Sequence, residues 1–168
     1  CNQNPLITPQ DVRPSREDFK VDGIFNCGVT RYKDEIILLC RVAESVKNVP
    51  EGSYKIPLVT NKHGKDEIEV VTIVQSEHPE FDYSDSRSIW RKDAKGMKKI
   101  AYLTSLSHLR IARSKDGIHF TVDDKPTILP RAEDECWGME DPRITKIEDN
   151  YYINYTSVTR HGAATSLL

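Results

Sequence analysis

The most apolar run of the chain is Ile36-Ile37-Leu38-Leu39-Cys40-Arg41-Val42-Ala43, interrupted only by Arg41. A strand that is apolar on both faces belongs inside a sheet. Val29 to Tyr32 precedes it across the polar turn Lys33-Asp34-Glu35, so the pair reads as a hairpin. Phe19 to Cys27 leads into that hairpin through a turn at Asn26-Cys27-Gly28. Further strands are expected at Ile56 to Thr60 and Ile68 to Val74, around His63-Gly64-Lys65. Ser88 to Arg91 and Lys99 to Ser105 flank a turn at Lys95-Gly96, and His78 to Ser86 reads as a loop. Leu109 to Ser114 and Ile118 to Val122 form a hairpin over Asp116-Gly117, a dipeptide suited to tight turns. Pro126 to Glu135 is a loop, and Arg143 to Ile147 pairs with Tyr151 to Val158 across Glu148-Asp149-Asn150. No stretch of a dozen residues carries a helical period, so the chain is expected to be all-β.

Asn2 to Arg16 is rich in Pro, Asn and Gln, and residues 1–18 read as an extended strap lying over a single domain that spans residues 1–168. The chain carries 24 basic and 26 acidic residues, a net charge of −2, with the two signs interleaved. That balance gives no electrostatic footprint for a nucleic-acid partner. No apolar run approaches the ~20 residues of a membrane span. The four cysteines and five histidines show no metal-ligand spacing, so no cofactor or metal is expected. Cys27 and Cys40, in apolar strand-like surroundings, read as buried free thiols. Cys1 reads as a boundary of the expressed chain, which puts the protein in a reducing, cytoplasmic compartment. The alternative is the lipidated terminus of a periplasmic or membrane-anchored lipoprotein.

The stretch Trp137-Gly138-Met139-Glu140-Asp141-Pro142-Arg143-Ile144-Thr145 concentrates the candidate chemistry. Pro142 pushes Asp141 toward an extended conformation. In an extended chain Glu140 and Asp141 point to opposite faces, while Asp141 and Arg143 share one. The ordinary reading is a turn entering a strand, with a structural Asp–Arg pair. A weak repeat supports more: Asp85-Ser86-Arg87-Ser88-Ile89 resembles Asp141-Pro142-Arg143-Ile144-Thr145, each followed by a turn and a Thr-Ser-bearing strand. Asn26 sits a similar distance before Asp85. Repeated groups of short antiparallel strands are the pattern of propeller blades, and such a ring would bring Asn26, Asp85 and Asp141 to one mouth.

Five segments resemble glycoside hydrolase family 130, the mannoside phosphorylases. They are Asn4 to Pro9, Gly23 to Gly28, Leu38 to Glu44, Ser107 to Gly117, and Gly138 to Thr145. The resemblance implies a five-bladed β-propeller, of which this chain covers the first two to three blades. It also implies inverting cleavage of β-mannooligosaccharides, with inorganic phosphate as cosubstrate and mannose 1-phosphate as product. An inverting β-mannosidase on the same scaffold, or a non-catalytic sugar-binding half-propeller, are the alternatives. Family members are about twice as long, so the chain is expected to be a fragment, or to be completed by a second copy or a second half.

Carried over residue by residue, the resemblance makes Asp141 the general acid. Asn26 and Arg41 become contacts to the mannosyl unit, and Arg160 becomes a contact to phosphate. Asp85, Arg87, His108 and Arg110 are candidates to line the channel, although a structural role suits each. A general acid must start protonated, whereas a nearby guanidinium favours the carboxylate. Arg143, another candidate substrate contact, is therefore expected to turn toward a different acid, such as Glu140 or a residue of a neighbouring blade. His161 and Cys27 depart from the family pattern, where a small polar amide and a proline are usual. The insertion from Lys55 to Ser86 and the run from Thr104 to His108 look more like the β-1,2-mannoside branch.

Overall fold

The computed structural model describes residues 2–168, and the readings of Cys1 lie outside them. The chain is all-β. Its strands in order are β1 (Phe19–Tyr32), β2 (Glu35–Val46), β3 (Ser53–Lys62), β4 (Lys65–Val74), β5 (Asp82–Asp85) and β6 (Ser88–Lys92). They continue with β7 (Lys98–Leu103), β8 (Leu106–Ser114), β9 (Thr121–Val122), β10 (Gly138–Ile147), β11 (Asn150–Thr159) and β12 (Gly162–Leu167). Among the described residues, helix is limited to two single 3-10 turns, at Pro9–Asp11 and Gln75–Glu77.

The principal sheet runs in the order β1-β2-β8-β10-β11-β12, with β9 paired to the side of β8. A two-stranded sheet, β3-β4, and a three-stranded sheet, β5-β6-β7, complete the fold. β2 is an inner strand, as its apolar run requires, paired to β1 on one side and β8 on the other. The main sheet curls, bringing β1 back onto β10. A side-chain carbon on Gly28 would lie 3.0 Å from the Pro142 carbonyl and 3.3 Å from the Arg143 Cα. At the β8–β10 crossing, a carbon on Gly138 would lie 2.7 Å from both the backbone N and O of Ser107. Gly138 also has a φ of +114°, which side-chain-bearing residues rarely adopt.

Two expectations need correction. Phe19 to Tyr32 is one continuous strand: the turn expected at Asn26 is a bulge, with the β1–β2 register shifting between Phe25 and Gly28. Likewise β10 begins five residues earlier than expected and runs through Asp141-Pro142, with a register shift between Glu140 and Arg143. Both bulges hold a residue in the left-handed region, Asn26 and Asp141, each with φ 51°. The proline rule for Asp141 is overridden by the bulge, a device that re-aims side chains next to functional sites. Lesser differences follow from local pairing: β5 lies in the expected loop at 78–86, and the hairpin over Asp116-Gly117 pairs through only two residues.

Two apolar clusters flank β2. Val12, Cys40, Val42 and Ala112 form one, and Leu39, Leu109, Met139 and Tyr155 the other. The N-terminal strap, bent once at its 3-10 turn, drives Val12 into the first cluster and is pinned by Ser15, whose N–H donates to Glu44 Oε1 at 2.8 Å. Beneath it lies a buried polar group. Arg110 is 0% exposed and donates to the Arg13 carbonyl at 2.6 Å. His108, 1% exposed, stands 3.6 Å from Glu44. Burial pushes the His108 imidazole below its ordinary pKa, against the opposing pull of Glu44. Burial pushes the Glu44 carboxyl up, but contacts from His108 and Ser15 outweigh it and leave it below the usual glutamate value.

Candidate functional site

The two bulges face each other and define a cluster. Asn26 Nδ2 donates to Asp141 Oδ1 at 2.9 Å across 115 positions of sequence, and Arg41 Nη1 donates to the same oxygen at 3.1 Å across 100. Arg41 Nη2 meets Glu140 Oε1 at 2.5 Å, and Arg41 Nε donates to Ser107 Oγ at 3.1 Å. The guanidinium also lies 4.8 Å from the centre of the Phe25 ring, a cation–π distance. A planar donor fork is thus committed on every edge and on one face. Asn and Asp are the residue types that tolerate a left-handed backbone, which allows the bulges to aim both side chains at one point.

Arg143 corrects the expectation set for it. It turns to no acid: its Nη1 donates to the carbonyls of Asn26 (3.3 Å) and Pro142 (2.8 Å), tying the two bulges together. Arg41 takes Glu140 instead. Nor do Glu140 and Asp141 diverge, because the bulge turns both onto Arg41.

Electrostatics divide the two acids. Partial burial pushes the Asp141 carboxyl up, but hydrogen bonds from Asn26 and Arg41, with the charges of Arg41 and Arg143, outweigh it and hold it below the ordinary aspartate value. Burial raises Glu140 above its ordinary value; Arg41 opposes that and the neighbouring Asp141 adds to it.

A cleft of about 740 Å³ opens beside the cluster. Phe25, Arg41, Tyr54, Arg87, Thr104 and Glu140 are among the residues that line it. Arg87 therefore reaches the cleft, while Asp85 does not join the Asn26–Asp141 cluster: its carboxylate is held by Arg87, whose Nε stands 3.2 Å away. His108 and Arg110 are buried side chains of β8 itself rather than lining residues, so the channel role expected of them is corrected by their burial. Arg160 sits apart, on a groove of about 410 Å³ shared with Asn61, Asp66 and Arg131. Cys40 is buried as expected, whereas Cys27 is only partly so. Among the described residues, no group of three or more His, Cys, Asp or Glu side chains is placed to hold a metal ion.

The sequence reading missed Glu140, Phe25 and Ser107 as members of the site. Glu140 and Phe25 are each next to a residue already singled out, Asp141 and Asn26, and Phe25 belongs to the same bulge as Asn26. Ser107 carried no signal, since its role depends on β8 crossing β10.

Residues 96–168 match the family model described as beta-1,4-mannooligosaccharide phosphorylase, of glycoside hydrolase family 130. A beta-1,2-mannobiose phosphorylase of Listeria innocua is 42% identical over 166 residues, which are 99% of this chain and 45% of that protein. The structure of the Listeria innocua enzyme in complex with beta-1,2-mannobiose superposes with a TM-score of 0.87, covering 99% of this chain and 46% of that one. A beta-1,2-mannobiose phosphorylase of Thermoanaerobacter is 44% identical over 59 residues, 35% of this chain and 18% of that protein. The chain resembles glycoside hydrolase family 130, and it spans about half the length of the Listeria relative.

Proposed function

We propose that this chain forms the mannosyl-binding and proton-donating part of a family 130 phosphorylase. That enzyme cleaves β-mannosides by inverting attack of inorganic phosphate, and the β-1,2 linkage is the first candidate. One observation carries the reading: Asn26 and Arg41, which the resemblance assigns to the mannosyl unit, both donate to Asp141, the assigned general acid, across 115 and 100 positions of sequence. The likeness to the Listeria enzyme along 99% of this chain supports the same reading. The fold we propose for the whole protein is a five-bladed propeller, with residues 1–168 supplying two to three blades and residues 1–18 the strap across them.

In this reading Asp141 protonates the departing glycosidic oxygen while phosphate attacks the anomeric carbon from the opposite face. Its depressed pKa opposes that role in the free site. Binding of the sugar removes the obstacle: mannosyl hydroxyls accept the hydrogen bonds that Asn26 Nδ2 and Arg41 Nη1 give to Asp141, and the carboxyl regains proton affinity. Arg41, with a planar donor fork, and Asn26, with donor and acceptor, suit vicinal hydroxyls. Arg87 extends the polar wall of the cleft toward the rest of the substrate. Arg160, in a groove separate from the cluster, is the chain's candidate contact to phosphate.

The test is product analysis on β-1,2-mannobiose with and without phosphate. Mannose 1-phosphate formed only with phosphate supports the reading. Mannose released at the same rate without phosphate would make the protein a hydrolase. Binding without turnover would leave a sugar-binding module.

A further inference from the structure

The bulge that aims Asn26 at Asp141 also sets a second residue against β2. The paired positions of β1 on either side of it are Phe25 and Gly28, facing Arg41 and Leu39. Two residues, Asn26 and Cys27, therefore stand opposite one, Cys40. Their side chains divide between the two faces of the sheet. Asn26 joins Arg41 on the side of Asp141. Cys27 turns to the other side and packs against the cluster of Val12, Cys40, Val42 and Ala112. There the Cys40 thiol hydrogen-bonds to the Cys27 sulfur. Facing residues of antiparallel strands have Cα atoms about 4.5–5.5 Å apart, inside the ~4.4–6.8 Å that a disulfide spans. Both cysteines are free, and they differ in access: Cys40 is 0% exposed, whereas Cys27 is only partly buried. The reaction proposed above uses neither sulfur.

We propose that Cys27 and Cys40 are a reversible oxidation site, at which hydrogen peroxide closes a cross-strand disulfide that withdraws Asn26 from Asp141. Cys27 is the sulfur the oxidant meets. Its thiolate attacks one peroxide oxygen and the O–O bond breaks. Cys27 becomes a sulfenic acid, and the departing hydroxide takes up the proton Cys27 lost, leaving as water. The Cys40 sulfur then attacks the Cys27 sulfur. The S–O bond breaks, and the oxygen leaves as a second water with the Cys40 proton. Two thiols are oxidised and one peroxide is reduced to two waters. The Cys40 thiol and the Arg143 charge favour the Cys27 thiolate over the opposing effect of burial, while the same contact and burial push the Cys40 thiol up, which suits the attacking and resolving roles. Closing the bond moves the bulge rather than β2. Cys40 faces Arg110 of β8 on an inner strand, whereas Asn26 and Cys27 lie outside the β1–β2 register. Asn26 precedes Cys27 directly. Drawing Cys27 toward Cys40 therefore pulls the Asn26 amide off Asp141 Oδ1, now 2.9 Å away, and its carbonyl off Arg143. The effect on sugar binding rests on the phosphorylase reading; the disulfide itself does not.

Peptide mapping by mass spectrometry, after the reduced chain is treated with stoichiometric hydrogen peroxide, tests the bond without reference to activity. The Cys27 and Cys40 peptides of one chain should appear joined, two hydrogens lighter than their sum, and should separate in dithiothreitol. Cys27 carried on to a sulfinic acid beside a free Cys40 thiol, or a chain that stays fully reduced, overturns the proposal. Calorimetry with β-1,2-mannobiose tests the consequence. The cross-linked wild type should bind about tenfold more weakly than the reduced protein, the scale of one lost hydrogen bond, and should recover in dithiothreitol. Cys27→Ser should bind like the reduced wild type and ignore peroxide. Equal affinity of the reduced and cross-linked wild type overturns the proposal, and so does a peroxide-driven loss of affinity in Cys27→Ser. If Cys27→Ser fails to fold, the wild-type comparison before and after dithiothreitol decides. A reduced wild type that binds no mannoside would overturn the phosphorylase reading instead. The NMR signal of the Asn26 side-chain amide then decides: a shift on oxidation, reversed by dithiothreitol, supports the proposal, and an unmoved signal overturns it.

Discussion

Gly138→Ala isolates the contact on which the site's geometry rests. Gly138 has φ +114° and faces the Ser107 backbone, so the new methyl group would sit 2.7 Å from both Ser107 N and O. Neither atom belongs to a flexible side chain, and β8 is held on its other edge by β2. The cost has two parts. The strained backbone contributes roughly 1–3 kcal/mol, and the overpacking contributes roughly 1–3 kcal/mol more. Their sum, about 2–6 kcal/mol, is a large fraction of the stability of an ordinary domain. Gly64→Ala is the control: it has φ +81° but nothing within 4 Å, so only the backbone part applies. Urea unfolding of the two variants should show Gly138→Ala destabilised by at least ~1 kcal/mol more than Gly64→Ala. Equal losses would refute the steric argument for the β8–β10 crossing.

Three further outcomes follow. Gly23→Ala places a methyl 2.4 Å from Phe25 Cε1, so the ring must leave its seat beside Arg41; mannoside affinity should fall several-fold by calorimetry while the melting temperature changes little. Asn26→Ala removes a donor from Asp141, so the Asp141 carboxyl should titrate closer to the ordinary aspartate value in an NMR titration. His108 favours its neutral form in the folded state, so its contribution to stability is present above the unfolded imidazole pKa and is lost as pH falls below it; Glu44, with a depressed pKa, adds a loss at still lower pH. Melting temperature should therefore drop between pH ~7 and ~5, and His108→Asn should flatten the upper part of that slope.

The hydrophobic pattern made the fold class and most strands legible, because β2 is apolar on both faces and its neighbours alternate between turns of recognisable chemistry. The site was legible in part. Asn26, Arg41 and Asp141 stood out, but their convergence depends on two bulges that local rules argued against. Asn26 looked like a turn because turn residues and bulge residues share a tolerance for positive φ. Pro142 argued for an extended Asp141, yet the pairing of β10 with β11 and the packing of Gly28 against Pro142 impose the bulge. The partner of Arg143 was misjudged for the same reason: with β1 curled onto β10, the Asn26 carbonyl is nearer than any acid. The polar group under the strap could not be foreseen from spacing, since Glu44, His108 and Arg110 meet only once β2 pairs with β8.

The account's central claim is that Asp141, bridged to Asn26 and Arg41, supplies the proton to the departing sugar. Mannose 1-phosphate production from β-1,2-mannobiose by Asp141→Asn, beside the wild-type protein at saturating phosphate, tests it most directly. The account predicts a fall in kcat of at least ~100-fold with substrate affinity largely kept, since the amide preserves shape but holds no transferable proton. Turnover by Asp141→Asn equal to wild type would contradict it.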